Sequence, residues 1–297
     1  GLWAQAQVSN IGYIYPAGGR QGDTFEVTVG GQFLKGVSKV YISGKGVDAE
    51  VVKYIKPLSK KQLMDLRKKL QMLTKGMKNK KGAGRTRGGK RPFAEIAPKF
   101  NAYAKEIGLK DMTLGVYFEL MKKFKDPKRQ PNAQLAELVI LKIKVAQDAA
   151  PGPREIRFQT FLGLSNPRLF QIAEFKEYRE TEPNNKTADT AITGSLPAII
   201  NGQIMPGDVD RFEFTARKGT RLVASTDARE LIPYLADAVP GWFQAVLSLY
   251  NEKGQRVAYA DDYRFHPDPV LRYLVPETGK YVLEIKDSIY RGREDFV

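Results

Sequence analysis

Val139-Ile140-Leu141-Lys142-Ile143-Lys144-Val145 is the stretch whose reading decides the fold. Apolar side chains at 139, 141, 143 and 145 alternate with Ile140 and two lysines, the period of two of a strand with one buried face. Upstream, Phe25, Val27 and Val29 alternate with Glu26 and Thr28 until Gly30-Gly31 turns the chain. Val40 and Ile42 open another run, and Val47, Ala49 and Val51 carry the pattern to Lys56-Pro57, where it stops. Downstream of Val145 it continues through Ile156 and Phe158 and a run from Leu169 to Phe175. Neither flank supplies enough strands for a sandwich alone, whereas together they supply about seven, the number a small sandwich needs. Residues 8–56 and 132–175 are therefore expected to form one β-sandwich interrupted by an insertion, residues 57–131.

The insertion changes period. Ser59 and Gln62 make a capping-box signature, followed by a stripe of Leu63, Leu66, Leu70 and Leu73 at spacings of three and four. A second stripe is Phe93, Ile96, Phe100, Tyr103 and Ile107; a third is Leu114, Tyr117, Leu120 or Met121, and Phe124. A helical hairpin or three-helix cluster is expected. The segment also holds the charge: its 21 basic and six acidic residues account for the whole net charge of +15, leaving the rest of the 297-residue chain neutral. Between the first two stripes, Thr74–Arg91 carries Lys75, Lys78, Lys80, Lys81, Arg85, Arg87, Lys90 and Arg91 with no acidic residue, a composition expected to be mobile. Such density suits a polyanion through counterion release, but the tip has no aromatic residue on which a base could stack, so no specific nucleic-acid recognition is expected. The alternative is a solvated loop that keeps the protein soluble.

From Ala198 strand grammar returns, with candidate strands at 198–204, 210–215, 221–226, 245–250, 256–260, 271–275 and 281–286, punctuated by Pro206-Gly207, Lys218-Gly219 and Lys253-Gly254. A second β-sandwich is expected over residues 176–297. Its last residues, Asp295-Phe296-Val297, read as the start of a further strand, so the natural protein is expected to continue. At the other end, residues 1–7 contain Ala4-Gln5-Ala6, either the remnant of a secretory cleavage site or an ordinary frayed terminus. No apolar run is long enough for a transmembrane helix.

Composition removes several chemistries. There is no cysteine, which excludes disulfides, thiol nucleophiles and thiolate metal sites, and a single histidine, His266, which excludes His-rich metal clusters. His266 precedes Pro267-Asp268, but no serine has a nucleophile-elbow context. Asp261-Asp262 reads as a turn rather than an acid–base pair. Gly241-Trp242-Phe243 offers either a sugar-stacking platform or an aromatic cap on the core. No catalytic residue is expected.

The acidic residues around the second sandwich are different. Glu180 and Glu182 lie two apart in an extended segment, Asn184 and Asn185 add amide oxygens, and Asp208 and Asp210 repeat the two-apart spacing. If the segments meet, four carboxylates and two amides converge, a set suited to Ca²⁺. Otherwise the asparagines cap a turn and the acids are solvated.

The region from about Tyr178 onward resembles the bacterial pre-peptidase C-terminal (PPC) domain. The resemblance rests on Glu180-Thr181-Glu182-Pro183-Asn184-Asn185, Gly207-Asp208-Val209-Asp210-Arg211-Phe212-Glu213-Phe214, Asp261-Asp262, Asp268-Pro269-Val270-Leu271 and Gly279-Lys280-Tyr281-Val282-Leu283-Glu284-Ile285. The first region resembles an IPT/TIG-type Ig-like module, through Tyr15-Pro16-Ala17-Gly18-Gly19, Gly22-Asp23-Thr24, the turn at 30–33, and Ala150-Pro151-Gly152 leading to Gly163-Leu164-Ser165-Asn166-Pro167. The helical insertion departs from the compact form of that module. These resemblances imply a mainly β protein, an Ig-like sandwich interrupted by a basic α-helical insertion and followed by a PPC jelly-roll-like sandwich. They also imply an exported, non-catalytic modular protein of the cell envelope or exterior, binding an extracellular polymer or protein. Members resembling the collagen-binding segments of secreted collagenases hold calcium through this linker and its facing aspartates, a role carried here onto Glu180, Glu182, Asn184, Asn185, Asp208 and Asp210. The alternatives are an accessory region of a larger secreted hydrolase or peptidase, and polyanion binding through the insertion.

Overall fold

The structure is a computed structural model and describes residues 7–80, 91–125, 132–186, 192, 196–232 and 243–297, without the side chains of 76–80, 91–93 and 123–125. The chain divides into two compact units, residues 57–131 and the remainder. The larger unit is mainly β and sandwich-rich.

Its first half contains β1 (Asn10–Tyr15), β2 (Gly18–Arg20), β3 (Thr24–Gln32), β4 (Lys39–Ile42), β5 (Val47–Ile55), β6 (Glu137–Val145), β7 (Gly152–Thr160), β8 (Gly163–Leu164) and β9 (Arg168–Ala173). One sheet has the order β1-β3-β6-β5, the other β2-β9-β7-β4, with β8 on β7. Strand β6 sits between β3 and β5, pairing Leu141 with Val27 on one side and with Val51 on the other. The deciding stretch thus joins sequence from both sides of the insertion. Val139, Leu141, Ile143 and Val145 are buried with Val27 and Val29 against Ile156, Phe158 and Phe170 of the second sheet. Burying each such side chain contributes about 1.5–3 kcal/mol.

The remaining strands are β10 (Lys176–Arg179), β11 (Ala198–Asn201), β12 (Asp210–Ala216), β13 (Arg221–Ser225), β14 (Ala245–Asn251), β15 (Arg256–Ala260), β16 (Val270–Leu274) and β17 (Gly279–Asp287). They form a sheet of order β12-β17-β14-β15, a β13-β16 pair and a parallel β10-β11 pair. Phe214, Leu222, Leu247, Leu249, Leu271 and Tyr281 fill the core between them. The alternation is clean on β12, whose Asp210, Phe212, Phe214 and Ala216 are buried while the residues between are not. The expected strand 198–204 ends at Asn201, because the backbone N–H of Gln203 turns to donate to the Glu180 carboxylate instead of a ladder.

The smaller unit contains α1 (Lys60–Lys80), α2 (Arg91–Glu106) and α3 (Leu114–Lys125). Its first helix is entered through the expected capping box: Ser59 N–H donates to Gln62 Oε1 at 2.9 Å, and Gln62 N–H to Ser59 Oγ at 3.1 Å. Leu66, Ile96, Phe100, Ala104, Leu114 and Tyr117 make the core, with Met121 rather than Leu120 packed against it. Gly108, at φ 83°, closes α2: Leu109 N–H reaches Ala104 O and Gly108 N–H reaches Lys105 O, a Schellman end. Helix α1 runs through Thr74–Lys80, the first part of the segment expected to be mobile, since lysine and methionine are good helix formers and continue the turn set by the leucine stripe. Among the described residues no helix is long and apolar enough to cross a membrane.

Candidate metal centre

Two segments build the acidic site. The first leaves β10: Glu180 N–H donates to Asn201 O at 3.0 Å, continuing the parallel pairing with β11, and the chain then turns at a cis Glu182-Pro183 bond. The second is the turn into β12, in which Gly207 adopts φ 75°, Asp208 N–H donates to Met205 O, and Asp210 pairs with Ile285 of β17. Parallel pairing of β10 with β11 brings the two together.

One carboxylate oxygen from each of Glu182, Asp208 and Asp210 lies within 4.8 Å of the others. Asp210 and Asp208 are buried, at 1% and 6% exposure, while Glu182 faces solvent. The carboxylates are oriented by backbone. Asp208 Oδ1 accepts from Val209 N–H (3.2 Å), its Oδ2 accepts from Met205 N–H (3.3 Å), and Glu182 Oε2 accepts from Asn184 N–H (2.8 Å). Glu180 Oε1 accepts from Gln203 N–H at 2.7 Å, and the Glu180 and Asp210 carboxyl groups share a hydrogen bond, while the atoms Glu180 Oε2 and Asp210 Oδ1 have no other partner. Asn184 is fully buried, and neither Oδ1 nor Nδ2 of its amide is hydrogen-bonded. An unsatisfied buried polar group costs about 1–3 kcal/mol, so this amide stands out.

Electrostatics sharpen the case. Burial, then the neighbouring Glu180 and after it Asp208 and Glu182, pushes the Asp210 carboxyl far above the ordinary carboxylate range. Glu180 is also pushed up, again by burial first. A site in which several carboxylates oppose one another's ionisation is one a cation would satisfy. Oxygens on opposite sides of a bound ion are separated by twice the metal–oxygen distance, about 4.6–5.2 Å for Ca²⁺ and about 4.0–4.2 Å for Mg²⁺. With every pair within 4.8 Å, the three oxygens can meet on one ion of either size. The donors are all oxygens, the kind of set Ca²⁺ takes, with Glu182, Asp208 and Asp210 as the carboxylates that converge, Glu180 next to Asp210, and Asn184 joined to Glu182 through its backbone N–H.

Of the six residues singled out in the sequence, Asn185 differs in its contact: its Nδ2 donates to Asp208 Oδ1 at 2.5 Å, which orients a ligand rather than supplying an oxygen. Two residues carried no signal in sequence. Gly202 stands where a Cβ would lie 2.7 Å from Glu180 Oε2 and 3.5 Å from Asp210 Oδ2, so its missing side chain admits both carboxylates. Asn201 accepts from Ala17 N–H (3.1 Å) at Oδ1 and donates from Nδ2 to Glu177 Oε2 (2.8 Å), tying β11 to the first sandwich. Burial pushes Glu177 up to about 7, against the lowering effect of that Asn201 bond.

The other candidates fall elsewhere. Lys75 is exposed on α1; Lys78, Lys80 and Arg91 are helical with side chains outside the description, and Lys81, Arg85, Arg87 and Lys90 lie outside the described residues, as do Ala4-Gln5-Ala6 and Trp242. Phe243 is buried and stacks on Phe296 at 5.4 Å, the core-capping arrangement. His266 is exposed in a turn paired with Tyr263. Asp268 accepts from the backbone N–H groups of Ala228, Arg229 and Glu230, a loop-holding role.

No known family profile and no curated protein matches this chain. Among solved structures, the C-terminal domain of the Streptococcus pyogenes antigen I/II-family protein AspA is 11% identical, over 94% of this chain and 86% of that one, with a TM-score of 0.18. The C-terminal domain of the Streptococcus agalactiae AgI/II polypeptide BspA is 9% identical, over 95% of this chain and 87% of that one, with a TM-score of 0.16. Likeness at this level carries no argument about fold or function.

Proposed function

We propose that this chain belongs to an exported, non-catalytic modular protein with a binding or structural role, and that its second sandwich holds a structural calcium ion at Glu182, Asp208 and Asp210, with Glu180 and Asn184 beside them. The observation that carries the calcium reading is convergence: three carboxylate oxygens within 4.8 Å, beside a fully buried asparagine whose amide has no partner. A bound Ca²⁺ would neutralise the repulsion and fix the linker after β10 to the turn before β12. The export and modular role follow from the resemblance to PPC and IPT/TIG-type domains. The test is thermal unfolding in millimolar Ca²⁺ against chelator. A rise in Tm with calcium supports the reading, and coincident melts overturn it.

A second reading, polyanion binding by the insertion, is favoured by helix α1. Its exposed positions include Lys60, Lys61, Arg67, Lys68 and Lys75 and no acidic residue. Retention on a heparin column that falls when Lys61, Lys68 and Lys75 are changed to Gln supports it, and unchanged retention refutes it.

A further inference from the structure

The outer face of the β12-β17-β14-β15 sheet carries a second arrangement, separate from the acidic site. A shallow cleft of about 400 Å³ opens there, floored by Val246 of β14, which is 3% exposed, and walled by Arg256 and Tyr259 of β15 and Lys286 of β17. The register explains the convergence. Val246 lies opposite Lys286 on one side, and Ser248 opposite Tyr259 on the other, so both neighbouring strands point side chains over the central one.

Both cations are held in place by tyrosine. The Arg256 guanidinium lies 5.1 Å from the centre of the Tyr259 ring, and Lys286 Nζ lies 4.1 Å from that of Tyr290 while donating to its Oη at 2.5 Å. Tyr290 is itself placed by an unusual backbone: it adopts φ 57°, a left-handed conformation seldom taken by an aromatic residue, where the fully buried Asp287 accepts from Ile289 and Arg291 N–H. Among the described residues neither Arg256 nor Lys286 forms an ion pair. The nearby Glu284 is already engaged by Arg211 at 2.7 Å and by the Tyr250 hydroxyl at 3.2 Å. The cleft therefore presents two cations that form no ion pair among the described residues, with Asp261 as the acid in its lining, over an apolar floor and beside a tyrosine ring that is half exposed.

The remaining lining narrows the ligand. Asp261, which accepts from the Tyr259 hydroxyl at 3.3 Å, Gln244 and Ser288 share the cleft. A bare phosphate would be repelled by Asp261 and would leave the amide and hydroxyl unused. A ring bearing both hydroxyls and a carboxylate uses every group: the acid faces Lys286 and Arg256, its hydroxyls donate to Asp261 and pair with Gln244 and Ser288, and its C–H face lies on Tyr259. From this we infer that the outer face of the second sandwich is a binding site for acidic saccharides of the uronic-acid class.

The test uses the full chain and trigalacturonate, followed by calorimetric titration and by amide and ring resonances of Val246, Tyr259 and Lys286. The methyl-esterified trisaccharide, which keeps the rings and loses the charge, is the matched control. The expected result is saturable binding that shifts these resonances, weakens at least about 10-fold with the methyl ester, and weakens comparably in Lys286→Met and Arg256→Met. Lys218→Gln, an exposed position in the turn after β12 and outside the cleft, should leave it unchanged. Equal binding of the methyl ester, no effect of Lys286→Met, resonance changes confined to α1, or equal affinity for a glutamate-rich hexapeptide would each overturn the assignment. Lys286 and Arg256 lie on the outer face and pack into no core, so their variants keep the fold, and near-identical melts verify this.

Discussion

Replacing Asp210 by Asn separates a proton-held from a calcium-held acidic site. Asp208 and Asp210 are both buried, with carboxylate oxygens no more than 4.8 Å apart. At an effective dielectric of about 20, two full charges at that separation repel by about 3 kcal/mol, a large share of the roughly 5–15 kcal/mol that holds a domain together. Burial first, then the neighbouring Glu180, with Asp208 adding to them, make Asp210 keep its proton in the absence of a cation. Asn is isosteric with that protonated acid, so in chelator the variant should match the wild type within about 1 kcal/mol below the ordinary carboxylate range and be the more stable of the two at neutral pH. The pH dependence has a definite sign. A carboxyl whose pKa is raised by folding binds its proton more tightly in the native state, so chelated wild type loses stability as pH rises above the ordinary carboxylate range. Asp210→Asn should lose less. With calcium the order reverses. At an ion concentration 100 times Kd the wild type gains about 2.7 kcal/mol, equivalent to about 5–10 °C in Tm at this size, and the variant should gain less than about a third of that. Calorimetric melts at several pH values, in Ca²⁺ and in chelator, read all of these. Wild-type melts that agree within about 1 °C in the two media, or a variant that keeps the full calcium gain, would refute the reasoning.

Three further outcomes follow from individual contacts. Gly202→Ala would put a methyl group 2.7 Å from Glu180 Oε2, so calcium affinity, titrated by calorimetry, should fall at least about 10-fold while the far-ultraviolet spectrum is retained. Glu177, raised from 4.5 to about 7, contributes stability that is fully present below its unfolded pKa and lost as pH rises through 7. At about 1.4 kcal/mol per pH unit this amounts to about 3 kcal/mol, and Glu177→Gln, which still accepts from Asn201, should flatten that part of the pH–stability curve. The turn Tyr263–His266 closes with backbone bonds in both directions while Arg264 and Phe265 sit at φ 51° and 69°, a two-residue hairpin whose central positions favour Asn-Gly. Arg264→Asn with Phe265→Gly should raise stability by about 1 kcal/mol, and an unchanged or lowered Tm would show that the left-handed turn carries no strain.

Much of the architecture was legible because it depends on near neighbours. Alternation at 139–145 and 210–216, the Ser59–Gln62 box and the leucine stripe of α1 are local patterns, and each maps onto the element expected of it. Helix α3 was ambiguous at Leu120 and Met121, because adjacent residues point about 100° apart and only the packing against α2 selects Met121. The acidic site was legible as a set of residue types and illegible as a site. Nothing local says that β10 pairs in parallel with β11, that Asn185 turns its N–H toward Asp208, or that Gly202 leaves room for two carboxylates.

The sequence by itself determined where most of the strands and the helical stripes lie, that residues 57–131 interrupt a sandwich and hold all of the net charge, and that thiol and multi-histidine chemistry is absent. The tertiary structure alone decided which acids converge, which asparagine is buried without a partner, and that Arg256 and Lys286 share a cleft across the unrelated floor of β14. The reason is range. Side-chain periodicity is set by the backbone within a few residues, whereas a binding site joins groups from distant strands, and their register depends on core packing that no short segment encodes.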